Sequence, residues 1–179
     1  MDGEHVFWIT SRAAGIVLLL ASSAAVAAGL LIGSRLGRGR TAQLRVAHEA
    51  LSLAAMAALV IHAGALLFDG FIGFGLADIT IPFAADHQRL WTAAGIVAGW
   101  STLVLGLSYY ARGRIGPARW RRLHRWIAVA WILGVVHGLM EGTDAGTTWF
   151  LLTVAAAVLP PFVMLAARHA AAPREQAPA

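Results

Sequence analysis

The chain has 179 residues, of which 59% are hydrophobic and 13% are charged, and its formal net charge of +5 comes from 14 arginines with no lysine. It contains no cysteine, which excludes disulfides, thiolate-ligated metals, iron–sulfur clusters and covalent haem attachment through C-x-x-C-H. The arginines flank apolar segments, so membrane orientation explains them better than nucleic-acid binding, and we expect a lipid bilayer and no nucleic acid as surroundings.

Apolar stretches of roughly 20 residues recur along the chain, which is the length that crosses a hydrocarbon core of about 30 Å. They predict an all-α integral membrane bundle of five transmembrane helices. The predicted helices are Ala13–Gly33, Ala47–Phe68, Leu90–Tyr110, Trp120–Met140 and Thr147–Ala167. Residues 1–12 would then form an external N-terminus, residues 13–167 the membrane domain, and residues 168–179 a disordered cytoplasmic tail.

The long segment between the second and third helices, Asp69–Arg89, contains large apolar side chains, three aspartates and one arginine. This pattern predicts an amphipathic segment that lies at the outer membrane surface.

The loops between the predicted helices alternate in charge, and the arginines are concentrated at one end of the bundle. Four lie in residues 34–45, six in residues 111–125 and two in the C-terminal tail, so twelve of the fourteen fall on one side. Because cytoplasmic loops are enriched in arginine, we expect the N-terminus outside and the C-terminus in the cytoplasm, in the plasma membrane of a prokaryote.

Two predicted helices each carry two histidines. His48 and His62 lie fourteen residues apart on the second helix, and His124 and His137 lie thirteen apart on the fourth. At 1.5 Å per residue these spacings correspond to about 21 Å and about 20 Å along the membrane normal. The four imidazoles therefore match in height as two pairs, and each level could hold one iron with two axial ligands.

The angular positions agree less well than the heights. Fourteen residues return to nearly the same face of a helix, whereas thirteen residues end about 140° away on an ideal helical wheel. His124 and His137 thus require a bend, a local irregularity or ligation from different flanks of the fourth helix. Room for a planar cofactor could come from small residues, namely Ala55, Ala58, Gly64, Gly134 and Gly138.

Other interpretations of the histidines remain open from the residues alone. Ionisable groups at membrane depth are costly, so four of them indicate function, but they could also satisfy hydrogen bonds in a bundle or form a metal-ion or proton pathway. A membrane transporter or assembly protein without haem is therefore the alternative to an electron carrier. A proton pathway would more often use intramembrane carboxylates, and Glu49 is the only acid within a predicted span.

The histidine spacing and its surroundings resemble the ferric reductase-like transmembrane domain family, which includes the membrane domains of ferric reductases and NADPH oxidases and the haem subunit of a methionine sulfoxide reductase system. The segments that carry the resemblance are RVAHEALSLAAMAALVIHAG, ITIPFAADHQRLWTAAGIVAG and ARWRRLHRWIAVAWILGVVHGL. The resemblance implies two b-type haems (haem b). His48 and His124 would ligate the inner haem, and His62 and His137 the outer one.

The resemblance also implies partners. Gly70–Gly75 does not fit the G-x-G-x-x-G pattern of a dinucleotide site, so we expect flavin only through a partner. The electron donor would be a separate flavoprotein or a quinone, and the external acceptor would be ferric iron or a partner redox protein.

Several arginines fall at the level of the inner haem. Arg45 and Arg125, together with Arg121 and Arg122, could pair with haem propionates, or they could simply set membrane orientation. Glu49 follows Arg45 by four residues, and this spacing favours an ion pair between them.

Overall fold

The computed structural model describes residues 5–34 and 37–170, and within these ranges it contains helices and no strands. The helices are α1 (Val6–Ile32), α2 (Thr41–Leu66), α3 (Leu76–Thr80), α4 (Arg89–Leu107), α5 (Arg112–Ile115), α6 (Pro117–His124), α7 (Ile127–Glu141) and α8 (Thr148–Ala170).

Within residues 5–34 and 37–170, five helical segments are long and apolar enough to cross a membrane, which confirms the all-α class and the predicted number of spans. They are Val6–Ile32, Thr41–Leu66, Arg89–Leu107, Pro117–Glu141 (α6 and α7 together) and Thr148–Arg168. The chain is thus a multi-pass membrane protein.

The first helix begins seven residues earlier than Ala13, the residue at which the sequence predicts its start. The prediction placed Arg12 outside the membrane segment because a charge there is costly. In the structure Arg12 lies inside α1, where its guanidinium donates to both carboxylate oxygens of the buried Asp144 and stacks 5.0 Å from the ring of Trp8. This compensation lets the helix extend past the charge.

The fourth span is interrupted after His124, and this local irregularity is one of the three possibilities that the thirteen-residue histidine spacing left open. Arg125 and Trp126 join α6 to α7, and three hydrogen bonds around them run between residues three apart instead of four (Trp126 to Leu123, Ala128 to Arg125, Val129 to Trp126). Such 3₁₀-like turns advance about 120° per residue instead of about 100°, so a few of them remove part of the ~140° mismatch.

Two helix pairs form the bundle. The most extensive packing joins α1 to α2 and α4 to α7, and α8 packs against α1. The α1 surface that is buried consists of small residues, which allow close helix approach: Ser11, Ala14, Ala21, Ser23, Ala25 and Ala28. The α2 and α4 helices touch only briefly, and a large cavity remains between the two pairs.

The two ends of the bundle differ in charge, and we name them by this difference. The arginine-rich end carries α5, α6 and the start of α2; the opposite end carries the segment 67–88 and the turn 142–147. Within segment 67–88 only α3 is helical. The carbonyl of Thr80, its last residue, accepts a 2.8 Å hydrogen bond from the indole of Trp100 on α4. The segment is thus tied to the bundle.

At the C-terminal side, α8 continues to Ala170, so residues 168–170 belong to the helix and not to the predicted tail. The rest of that predicted tail, residues 171–179, lies outside the described residues.

We expect Asp144→Ala to lower the free energy of unfolding by about 1–3 kcal/mol, because it removes charge-assisted hydrogen bonds and leaves Arg12 without its carboxylate. Thermal unfolding of the detergent-solubilised protein measures the effect. Asp86→Ala, at an exposed residue, is the control and should change stability by less than about 0.5 kcal/mol. Equal melting temperatures for the two variants would contradict this role of Asp144.

Candidate functional site

The four histidines meet across the cavity as two pairs. The ring centroids of His48 and His124 lie 6.2 Å apart, and those of His62 and His137 lie 6.3 Å apart. The planes within each pair are nearly perpendicular, at 86° and 76°. The structure therefore brings together the same residues that the sequence pairs by height.

Each imidazole is oriented by a hydrogen bond from Nδ1 to a backbone carbonyl on a neighbouring helix. His62 contacts the carbonyl oxygen of Ser11 at 2.9 Å and His48 that of Ala25 at 2.8 Å, both on α1. His137 and His124 use α4 in the same way, contacting Trp91 at 2.9 Å and Leu105 at 3.3 Å. A carbonyl accepts only, so Nδ1 is the protonated nitrogen in each ring.

The second nitrogen of each ring is left for another partner. Among the described residues no hydrogen bond involves Nε2 of these four histidines. Because Nδ1 and Nε2 lie on opposite sides of the ring, anchoring Nδ1 to the supporting helix turns the Nε2 lone pair away from that helix. All four histidines line the cavity. A neutral imidazole whose Nδ1–H is anchored is the usual form of a metal ligand.

Glycines allow three of these contacts. A Cβ on Gly15 would lie 3.1 Å from Nδ1 of His62, and one on Gly29 would lie 3.2 Å from Cε1 of His48. On α4, a Cβ on Gly95 would lie 2.5 Å from Nδ1 of His137, closer than real side chains approach. Each glycine follows the accepting carbonyl by four residues, one helical turn further on.

His124 is held differently. The residue four after Leu105 is Tyr109, not glycine, and the Nδ1 contact there is the longest of the four. The ring of Trp120 stacks on His124 at 5.0 Å with an interplanar angle of 25°, and the Trp120 indole donates to Ser108 at 3.1 Å. An aromatic stack thus orients the ring where the glycine is missing.

The spacing within each pair is that of two imidazoles on one metal. Imidazole nitrogens bind first-row metals at about 2.0–2.1 Å, and the nitrogen lies about 1.1 Å from the ring centre, so a linear N–metal–N unit separates the centroids by roughly 6.3 Å. The observed 6.2 and 6.3 Å agree with this value. Within the described residues no group of three or more histidine and acidic side chains converges, so each pair offers two nitrogen donors and no third side chain of these types.

The space around the pairs is large and apolar. The cavity has a volume of about 2230 Å³, whereas a site for one small molecule usually has roughly 300–1,000 Å³. Of the small residues expected to leave room, Ala55, Gly64, Gly134 and Gly138 line it. Ala58 does not; it is buried in the bundle.

Two large side chains lie between the levels. Trp131 comes seven residues after His124 and six before His137, and Met56 is placed similarly between His48 and His62, so both lie near mid-height. Both line the cavity, and the buried Trp131 indole donates to Ser23 at 3.0 Å. This hydrogen bond fixes the indole between the two histidine pairs.

Arg45 and Arg125 reach the cavity at the arginine-rich end, where both are exposed. Arg45 does not pair with Glu49, in contrast to the expected i,i+4 ion pair; Glu49 instead accepts a 3.2 Å hydrogen bond from the hydroxyl of Tyr110. The guanidinium of Arg45 therefore remains available to a group in the cavity mouth.

Sequence reasoning missed one residue next to the site. Glu141 ends α7 one turn after His137, and its Oε2 lies 3.0 Å from the histidine Nδ1. Its side chain is 14% exposed. The signal in the sequence is the i,i+4 spacing from His137, which places both on one helix face.

The anchoring carbonyls and glycines were also missed. Gly29 and Gly95 each stand four residues before another glycine, a spacing that by itself indicates only close helix packing. The signal that identifies their role is the fourteen-residue interval between Gly15 and Gly29, which equals the interval between His48 and His62.

Comparison of the chain with protein-family models, with curated proteins and with solved structures gives no match.

We expect Gly95→Ala to destabilise the protein by about 1–3 kcal/mol, because the added methyl overlaps the anchored ring of His137 and that ring must move. Gly99→Ala, one turn further along α4, is the control, since its methyl would meet the flexible tip of Leu59 at 3.3 Å. Thermal unfolding of both variants measures the difference. The packing argument fails if Gly95→Ala is as stable as Gly99→Ala.

Proposed function

We propose that this protein binds two b-type haems and carries electrons across the membrane, as its resemblance to the ferric reductase-like transmembrane domain family implies. The observation that supports the proposal most directly is the pair of centroid separations, 6.2 and 6.3 Å, which equal the spacing of two imidazoles on one iron. His48 and His124 would hold one haem, and His62 and His137 the other.

The surroundings of the pairs fit such a group. The cavity is several times the volume of an ordinary small-molecule site, its walls are mainly apolar, and all four unpartnered Nε2 atoms belong to residues that line it. Bound haem would supply a one-electron iron couple at each level. Arg45 and Arg125 could pair with propionates at the arginine-rich end by charge-assisted hydrogen bonds.

The residues of the chain would have three tasks in this function. The histidines hold the irons, and the helix carbonyls keep the rings in one tautomer and orientation. The apolar bundle excludes water and fixes the distance between the levels, about 20 Å along the helices. Since two histidines of the chain would hold each haem, an external acceptor would be reduced through the haem edge.

The charge distribution supports the direction of transfer that we propose. With the arginine-rich end in the cytoplasm of a prokaryotic cell, the His48–His124 pair lies near the inner face and the His62–His137 pair near the outer one. Electrons would enter from a separate flavoprotein or from quinone and leave to ferric iron or a partner redox protein outside.

The decisive experiment is haem content in purified variants. The unsubstituted protein, expressed with sufficient haem, should contain two haems b per chain, whereas His62→Ala and His137→Ala should each contain one and retain the spectrum of the other. His87→Ala, an exposed histidine of the same end, should keep both. A chain without haem absorbance would support the haem-free transporter or assembly protein, and loss of both haems, or of neither, would refute two separate levels.

A second experiment tests transfer itself. Vesicles that contain the protein and enclose ferricyanide should oxidise their haems again after external dithionite reduces them, and His62→Ala should slow this by at least tenfold because the path between the two faces is broken. Absorbance of the reduced haem band measures the rate. Equal rates in the two preparations would show that the protein does not conduct across the bilayer.

A further inference from the structure

The four histidines differ in what their Nδ1 atoms face. Three of them contact neutral groups only, namely backbone carbonyls and, for His62, also the hydroxyl of Ser11 at 3.1 Å. His137 alone faces a carboxylate: Oε2 of Glu141 lies 3.0 Å from its Nδ1, beside the 2.9 Å contact to the carbonyl of Trp91. The two levels are thus electrostatically unequal.

Glu141 is built into this position. Its Oε1 lies 2.7 Å from the hydroxyl of Thr92, a buried residue whose hydroxyl is also 2.8 Å from the carbonyl of His87 and so can donate to either acceptor. Its Oε2 is buried and receives no well-directed hydrogen bond within the described residues, since the Nδ1 proton points to Trp91. The basic side chain of Arg12 in this region is already bound to Asp144.

From this geometry we infer that Glu141 is a positioning residue that tunes the haem held by His62 and His137 to a lower reduction potential; the inference rests on the proposed function. A negative charge beside Nδ1 makes the imidazole a stronger electron donor to iron, and it also favours the oxidised iron, which carries one more positive charge. The His48–His124 level has no acid in contact with a histidine among the described residues.

The test is a redox titration of the haem-loaded protein, followed by the absorbance of each haem. Glu141→Gln keeps the size of the side chain and removes its charge. It should raise the midpoint potential of one haem by at least 59 mV, which is a tenfold change in the equilibrium constant for one-electron reduction. The midpoint potential of the other haem should not change. The matched control is Glu49→Gln, which removes the same charge at the arginine-rich end; the carboxylate of Glu49 accepts a hydrogen bond from Tyr110, and within the described residues it forms no ion pair with a histidine.

Assignment of the shifted haem uses variants that keep only one. In a background of His48→Ala, which should retain the His62–His137 haem, Glu141→Gln should give the same shift. In a background of His62→Ala it should give none.

Each result decides the matter. Two haems with unchanged potentials in Glu141→Gln, or an equal shift of both haems, overturn the inference while leaving the haem site intact. If Glu141→Gln loses a haem, Glu141→Asp replaces it; that variant keeps the charge but withdraws it by one methylene, and should raise the potential of the same haem by less. Loss of that haem from both variants assigns Glu141 a purely structural role and overturns the inference. Absence of haem from the unsubstituted protein refutes the proposed function and this inference together.

Discussion

The arrangement of the bundle depends on one repeated interaction, the hydrogen bond from a histidine Nδ1 to a carbonyl of the adjacent helix. A backbone carbonyl has two lone pairs, so it can accept the imidazole beside another donor, as the carbonyl of Leu105 does with the hydroxyl of Ser108 at 2.6 Å. This contact requires the helices to approach closely, which explains the glycines and the alanine-rich surface of α1. It orients all four rings toward a common space, and within the described residues no hydrogen bond engages their Nε2 atoms.

The number of spans and the pairing of histidines were predictable from the sequence because both follow from distances along a helix. A rise of 1.5 Å per residue converts fourteen and thirteen residues directly into nearly equal heights, and apolar length converts directly into membrane crossing. The need for an irregularity near His124 followed from the same geometry, and the turn at Arg125–Trp126 meets it.

The features that could not be predicted are those that depend on partners distant in sequence. Whether Arg12 lies inside or outside α1 depends on Asp144, which is 132 residues away. Glu49 accepts a hydrogen bond from Tyr110, 61 residues away in sequence, and does not pair with Arg45 on its own helix. The carboxylate of Glu141 acquires its significance only when α4 places Thr92 and Trp91 beside it. Local spacing gives a set of possible partners, and tertiary packing selects among them.

The two main helix pairs have the same internal plan. In each pair the first helix provides two acceptor carbonyls that lie fourteen residues apart: Ser11 and Ala25 on α1, and Trp91 and Leu105 on α4. The second span of the pair, α2 or the combined α6 and α7, provides the imidazoles. Both pairs run through the bundle in the same sense, because in each the earlier carbonyl lies at the His62–His137 level and the later one at the His48–His124 level. One hairpin facing a copy of itself would therefore already contain four inward nitrogen donors at two heights. The differences between the halves, Tyr109 in place of glycine and one residue fewer between the histidines, are then departures from an internal repeat.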